Sequence, residues 1–106
     1  MPLTDAILPP GVVFPFAGTS APSGYLLCDG SAVSRITYRA LFDAIGTEHG
    51  TGDGVTTFNI PDYRGRFHRG QDQGQGRDPD ASSRTSMNSG GNTGDAVGSI
   101  QGHAFQ

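Results

Sequence analysis

The chain has 106 residues, of which 34% are hydrophobic and 17 are glycine, and it carries a formal net charge of −3. This length fits one domain with a small core, and the weak negative charge argues against binding to nucleic-acid phosphates. Cys28 is the only cysteine, which excludes a disulfide within one chain, and no apolar run reaches the roughly 18 residues of a membrane span.

The first part of the chain alternates short apolar strings with glycine and proline. Residues 1–10 are interpreted as an extended leader, because their two consecutive prolines disfavour helix. The string at 12–16 contains a proline, which favours an edge strand, and a second apolar string covers 25–28. Asp29-Gly30 predicts a tight turn, with a returning strand at residues 32–33.

One segment has helical period. Ser34 is suited to cap a helix N-terminus, Gly46 is suited to end it, and the spacing predicts a helix over about 35–45. The apolar stripe of this helix consists of Ile36, Ala40, Leu41, Ala44 and Ile45. Since such a stripe faces the core, we expect the helix to pack on the strands.

A glycine-rich loop at 47–54 leads into an alternating segment. Residues 56–60 place Phe58 and Ile60 on one face, as in a half-buried strand, and Pro61 ends it. The predicted fold class is therefore α+β, a small domain of short antiparallel strands with one helix.

The last third of the chain is poor in large apolar side chains. From residue 68 to 98 only Met87 and Val97 are of this kind, and such composition does not offset the entropy of ordering. We therefore expect a domain at 11–70 followed by a long, irregular, glycine-rich arm at 71–106 that is ordered by oligomerisation.

Four motifs follow one another in a fixed order along the chain. An Ala-Pro-x-Gly turn at 21–24 precedes Tyr-Leu-x-Cys-Asp-Gly at 25–30. A Tyr-x-x-Leu-Phe-x-x-Ile-Gly helix lies at 38–46, and Thr-Phe-x-x-Pro-Asp-x-Arg-Gly-Arg-Phe closes the series at 57–67. This order closely resembles the phage tail collar domain, a module of viral tail fibres and baseplates. The resemblance marks as structural motif residues Cys28, Asp29, Gly30, Gly46, Pro61, Asp62, Arg64 and Gly65.

The resemblance implies a non-enzymatic structural component of a phage tail or tailocin-like particle. Its role at a fibre or baseplate would be joining, host-surface contact, or both. The implied partners are copies of the chain, as a homotrimer, and neighbouring tail or baseplate proteins. An alternative is a receptor-binding adhesin that recognises surface carbohydrate such as lipopolysaccharide. The N-terminus has no secretory signal pattern, so we expect a virion or extracellular particle that is assembled in the bacterial cytoplasm, without membrane insertion.

The candidate binding residues are arginines and one histidine: Arg64, Arg66, Arg69, Arg77 and His103. Three interpretations of the first three arginines stay open. They are exposed charges, or they pair with Asp62, Asp53 or acids of another copy, or they bind an anionic sugar or phosphate. The loops at 47–56 and 77–92 are further candidates for surface contact, because surface loops carry recognition.

The sequence offers no catalytic constellation and predicts no cofactor. It lacks Gly-x-Ser-x-Gly and a phosphate-binding loop, and Cys28 is expected to be a buried small hydrophobe. The acids at 72, 78 and 80 do not have calcium-loop spacing. The resemblance implies closely spaced histidines beyond the arm that bind a metal at a trimer axis. Only His103 stands in that region, so no metal site is expected, and an axial His103 cluster is the remaining hypothesis.

Overall fold

The computed structural model describes residues 8–102. Strand β1 covers Ala32–Ser34, helix α1 covers Arg39–Ile45, and strand β2 covers Thr57–Asn59. A 3₁₀ turn at Ala81–Ser83 then precedes strands β3, Thr85–Ser86, and β4, Ser99–Ile100. One helix with short antiparallel strands makes the domain α+β, as predicted.

The main sheet is a ribbon between two distant parts of the sequence. Strands β1 and β2 pair antiparallel, with Val33 opposite Phe58. The pairing continues beyond the strands, because Asp29 forms a bridge with Asp62 and the Tyr63 amide donates to the Cys28 carbonyl at 3.1 Å. The predicted hairpin of 25–28 with 32–33 is therefore wrong: β1 pairs with β2, and residues 25–28 lie in no strand.

Gly30 marks the place where the ribbon needs a glycine. Its φ is +78°, a left-handed conformation that disfavours other residues. Its amide donates to the Pro61 carbonyl at 2.9 Å, and its carbonyl accepts from Asn59 Nδ2 at 3.0 Å. A Cβ at this position would lie 2.9 Å from the Asp62 Cβ. The positive φ is the conformation for which a tight turn selects glycine, although here Gly30 joins two segments that are distant in the sequence.

The helix is shorter than predicted. Residues 35–38 form turns, and α1 begins at Arg39. The Ser34 hydroxyl accepts from the Ile36 and Thr37 amides at 3.2 and 3.1 Å, so it caps this turn and not α1. Two β-branched residues in succession lower helix propensity here. The predicted stop at Gly46 is confirmed, with φ +54° and its amide donating to the Phe42 carbonyl.

The core of the described residues is small and lies under β2. Phe58 is fully buried and Ile60 is 3% exposed, which confirms the predicted strand face. The Phe42 ring lies 5.0 Å from that of Phe58, and the Arg35 guanidinium stacks on Phe42 at 4.8 Å. The predicted helical stripe is only partly correct. No residue of α1 is fully buried, and Ile36 is 81% exposed because it precedes the helix.

The segment at 71–102 contains more structure than the sequence predicted. Strands β3 and β4 pair antiparallel, with Thr85 opposite Ile100. Its backbone also bonds to the loop after α1: the Thr51 amide donates to the Ser89 carbonyl at 3.0 Å, and the Asn92 amide donates to the Glu48 carbonyl at 2.9 Å. This part of the arm thus has partners within one chain, and its ordering by other copies stays a prediction.

Candidate contact surface and arginine segment

The N-terminal half exposes a continuous apolar surface. We call it the apolar groove; its large apolar side chains are each 39–54% exposed, namely Val12, Val13, Phe14, Phe16, Tyr25, Leu26 and Leu27. Phe14 and Tyr25 pack edge to face at 5.5 Å and so join the two apolar strings. The predicted edge strand at 12–16 is wrong, because this string has no strand partner among the described residues.

The apolar groove has a volume of about 360 Å³. Tyr63 and His68 complete its lining, and their rings meet at 4.3 Å. The groove continues into a recess of about 1000 Å³ between the N-terminal string and α1, where Leu41, Ile45 and Val97 contribute further apolar surface. A contiguous exposed apolar surface can mark a site of protein contact. We therefore take the groove and its recess as the candidate contact surface.

Two of the motif strings lie side by side along the ribbon. Cys28–Gly30 runs opposite Pro61–Tyr63 through the bonds described above. Asp29 Oδ1 accepts from the Ser31 amide at 3.1 Å and from its hydroxyl, which lowers the pKa of Asp29. Gly65, with φ +69°, turns the chain after the ribbon. These motif residues therefore shape the backbone, and Gly46 does the same at the end of α1.

The arginine segment at 64–69 is exposed, and its members differ in their partners. Arg64 forms a two-bond ion pair with Asp62, at 2.8 and 3.0 Å, and the pKa of that carboxyl falls to about 2, chiefly through this hydrogen bond. Arg66 donates to the Asp62 carbonyl oxygen. Arg64 thus follows the predicted pairing with Asp62, and Arg66 is exposed with a backbone acceptor.

Arg69 reaches a carboxylate that sequence reasoning did not single out as a partner. Asp78 is 4% exposed in its side chain, and Arg69 Nε lies 3.3 Å from its Oδ2. Arg84, 7% exposed, forms a second ion pair with the same oxygen. The hydrogen bond from Arg84 lowers the pKa of Asp78 although burial opposes this. The only sequence signal was an arginine and an aspartate in a segment otherwise lacking core residues. Arg77 is exposed and, among the described residues, has no ion pair.

Aspartate side chains hold the backbone in two loops. Asp72 accepts from the amides of Gly76, Arg77 and Asp78 at 2.8–3.1 Å, and these bonds lower its pKa. Asp53 does the same in the loop before β2, where the Thr56 hydroxyl and the amides of Val55, Thr56 and Thr57 donate to it and lower its pKa. Carboxylates used in this way are loop caps.

The described residues contain no cluster of three metal-ligand side chains. His49 is 4% exposed, and its Nδ1 has no hydrogen-bond partner among them. Burial lowers the pKa of His49, so its neutral form is favoured. His103 and the axial cluster hypothesis lie outside the described residues.

Cys28 is half-buried at the edge of the apolar groove, a less complete burial than predicted. Burial, assisted by the Asp29 charge, raises the pKa of its thiol, which disfavours the reactive thiolate. No helix among residues 8–102 is long and apolar enough to cross a membrane.

Comparison with known proteins agrees with the motif order. Residues 11–68 match the Phage Tail Collar Domain family. The chain is 39% identical over 100 residues to Protein RhiB of Rhizobium leguminosarum bv. viciae, covering 85% of this chain and 45% of the relative. It is 35% identical over 99 residues to the putative uncharacterized protein StfE of Escherichia coli (strain K12), covering 93% of this chain and 42% of that protein. The chain thus spans less than half the length of these relatives. No solved structure matches it.

Proposed function

We propose that this chain, which belongs to the phage tail collar domain family, is a non-enzymatic structural component of a phage tail or tailocin-like particle. The match over residues 11–68 supports a tail-fibre type of role. Its motif residues shape the backbone, which agrees with a structural role and does not require a catalytic one. We place it at a fibre or baseplate, where it joins tail proteins, contacts the host surface, or both.

The observation that carries this proposal is the exposed apolar groove within the family-matched region. Partly exposed side chains such as Phe14, Phe16 and Leu27 cost free energy in water, and a covering partner recovers about 25 cal/mol for each Å² of apolar area buried. We propose that copies of the chain supply this cover as a homotrimer, with neighbouring tail or baseplate proteins as further partners. The trimer number follows from the family resemblance.

The experiment tests whether the chain is incorporated into tail particles. The native host is lysed, particles are purified by density-gradient sedimentation, and the chain is followed by mass spectrometry and by gold-labelled antibody. Recovery of the chain at constant stoichiometry with tail proteins, and gold label at tails, supports the proposal. A chain that stays in the unsedimented fraction while tails sediment contradicts it.

The second candidate function is an adhesin for surface carbohydrate such as lipopolysaccharide. The exposed arginine segment favours it, because Arg66 and Arg77 carry no ion pair among the described residues and suit phosphate groups. A glycan array probed with the isolated chain tests this function. Binding to phosphorylated glycans that weakens with salt and with Arg66→Gln supports it, and firm binding to a tail protein with a silent array supports the structural role.

A further inference from the structure

Phe67 is the most exposed large apolar residue among the described ones. It is 99% exposed, although it closes a motif that otherwise builds the ribbon. Its chain neighbour His68 lines the apolar groove, so Phe67 lies beside the groove of its own chain without entering it. A free phenylalanine ring and an open apolar groove thus adjoin one another on one copy.

The apolar groove fits an aromatic side chain in size and chemistry. An apolar protein cavity of about 150 Å³ is large enough for benzene, and the groove measures about 360 Å³. Its aromatic lining, which includes Phe14 and Tyr25, offers edge-to-face contacts worth about 0.5–1.5 kcal/mol beyond area burial. The groove therefore has room for one phenylalanine ring from outside.

Cyclic symmetry explains why both features occur on one copy. In a ring of three copies, each contact joins two different patches, because only a two-fold axis joins a patch to itself. Where such a contact lies close to the rotation axis, the two patches adjoin one another on each copy, because their separation grows with the distance from the axis. Phe67 and the apolar groove satisfy this requirement.

The charges beside the two patches are complementary. Arg66 precedes Phe67 and, among the described residues, donates only to a backbone carbonyl. Glu48 and Arg39 both line the recess that continues from the groove. Arg39 is paired with Asp43, whereas Glu48 has no ion pair among the described residues. When Phe67 inserts into the groove of the next copy, Arg66 of the first copy approaches the recess that contains Glu48 of the second. Opposite charges at this contact favour this arrangement of the two copies.

We propose that Phe67 of one copy inserts into the apolar groove of the next copy and closes the ring. This inference rests on the self-association proposed above and assigns its anchor. Aromatic anchors in apolar pockets carry much of the binding free energy in protein interfaces. Phe67 contacts little of its own chain, so its removal leaves the single copy folded.

The first experiment compares Phe67→Ser with the wild type by analytical ultracentrifugation over a concentration series. The matched control is Val55→Ser, which removes another exposed apolar side chain, 76% exposed, away from the groove. We expect Phe67→Ser to raise the dissociation constant by on the order of 30-fold or more, while Val55→Ser matches the wild type. Equal dissociation constants for all three proteins would overturn the inference, as would an equal loss in both variants.

The second experiment locates the ring of Phe67 in the assembly without removing it. A photoreactive benzoylphenylalanine replaces Phe67, and ¹⁴N- and ¹⁵N-labelled copies are mixed before irradiation. We expect mixed-label cross-links from position 67 to peptides that contain residues 12–16 or 25–28. Cross-links to other segments alone, or none between copies of an assembled sample, would overturn the inference. A wild type that stays monomeric would overturn self-association as well, whereas an assembled wild type with unchanged Phe67→Ser overturns the anchor alone.

Discussion

The segment at 12–27 and the segment at 71–100 are held in different ways. The first is rich in large apolar side chains, yet all of those named in the apolar groove remain partly exposed. The second has few such side chains, yet it forms the β3–β4 pair, the buried Asp78–Arg84 ion pair and backbone bonds to the loop after α1. The number of apolar side chains in a segment therefore does not determine whether that segment finds its contacts within one chain.

The difference has a physical cause. Backbone amides and carbonyls need hydrogen-bond partners wherever water is excluded, and a glycine-rich segment can supply them through close backbone approach. Apolar side chains need cover by a surface of matching area, and the core under β2 is too small to cover residues 12–27.

The largest effect is expected where apolar burial is complete. Phe58→Ala removes the one large side chain that is fully buried among residues 8–102, and it should lower the free energy of unfolding by about 3–5 kcal/mol. Urea titration followed by circular dichroism measures this loss. Phe67→Ala, measured where the chain is monomeric, is the control and should change it by less than about 0.5 kcal/mol. Similar losses in both variants would show that Phe58 does not form the core as described.

Two left-handed glycines compare the ribbon with the arm. Gly30 and Gly74 have φ of +78° and +79°, but only at Gly30 would a Cβ meet a neighbour, at 2.9 Å. Alanine should cost roughly 1–2 kcal/mol at both sites from backbone strain, with about 1–3 kcal/mol more at Gly30 from crowding. Thermal unfolding of the two variants checks the difference. Equal costs would mean that Gly30 and Asp62 are not in close contact.

Asn88→Ala tests the polar attachment of the arm. Asn88 Nδ2 donates to the His49 carbonyl at 3.1 Å, and its loss leaves that partly buried oxygen without this donor. We expect a loss of about 1–2 kcal/mol, with faster hydrogen exchange at the Thr51 and Asn92 amides. Asn92→Ala is the matched control, because its side chain bonds within the arm, to the Val97 carbonyl. If both variants change exchange at Thr51 alike, the attachment is not local.

The smallest effect is a pH dependence at the same junction. Burial lowers the pKa of His49 in the folded chain, so the unfolded chain binds more protons once the pH falls below about 6.5. The free energy of unfolding should therefore decrease on acidification through this range. The facing groups are Tyr63, whose ring lies 6.5 Å away, and the adjacent Glu48. His49→Phe should remove this slope and His68→Phe should not; a slope unchanged in His49→Phe contradicts the assignment.

The sequence predicted the local features and missed the distant pairings. The face of Phe58 and Ile60 and the stop at Gly46 followed from period and glycine chemistry. The pairing of β1 with β2 did not, because a local turn signal at Asp29-Gly30 favours a hairpin while the real partner lies 27 residues away, as in Ala32 with Asn59. The attachment of the arm was missed because backbone hydrogen bonds leave almost no trace in side-chain composition.

The candidate surface shows the same division. The collar motifs could be recognised in order, and the Arg64–Asp62 pair was among the interpretations. The exposure of Phe67 and of the string at 12–16 was not predictable. The sequence alone does not show whether an apolar side chain is buried by its own chain or by another molecule.

We propose that the apolar groove is covered by another copy of the chain, and the anchor role of Phe67 depends on this contact. Sedimentation equilibrium of the native chain at micromolar concentration tests this most directly. We expect a single species with three times the mass of one chain, which dissociates on dilution. A monomer that persists as concentration rises would contradict it.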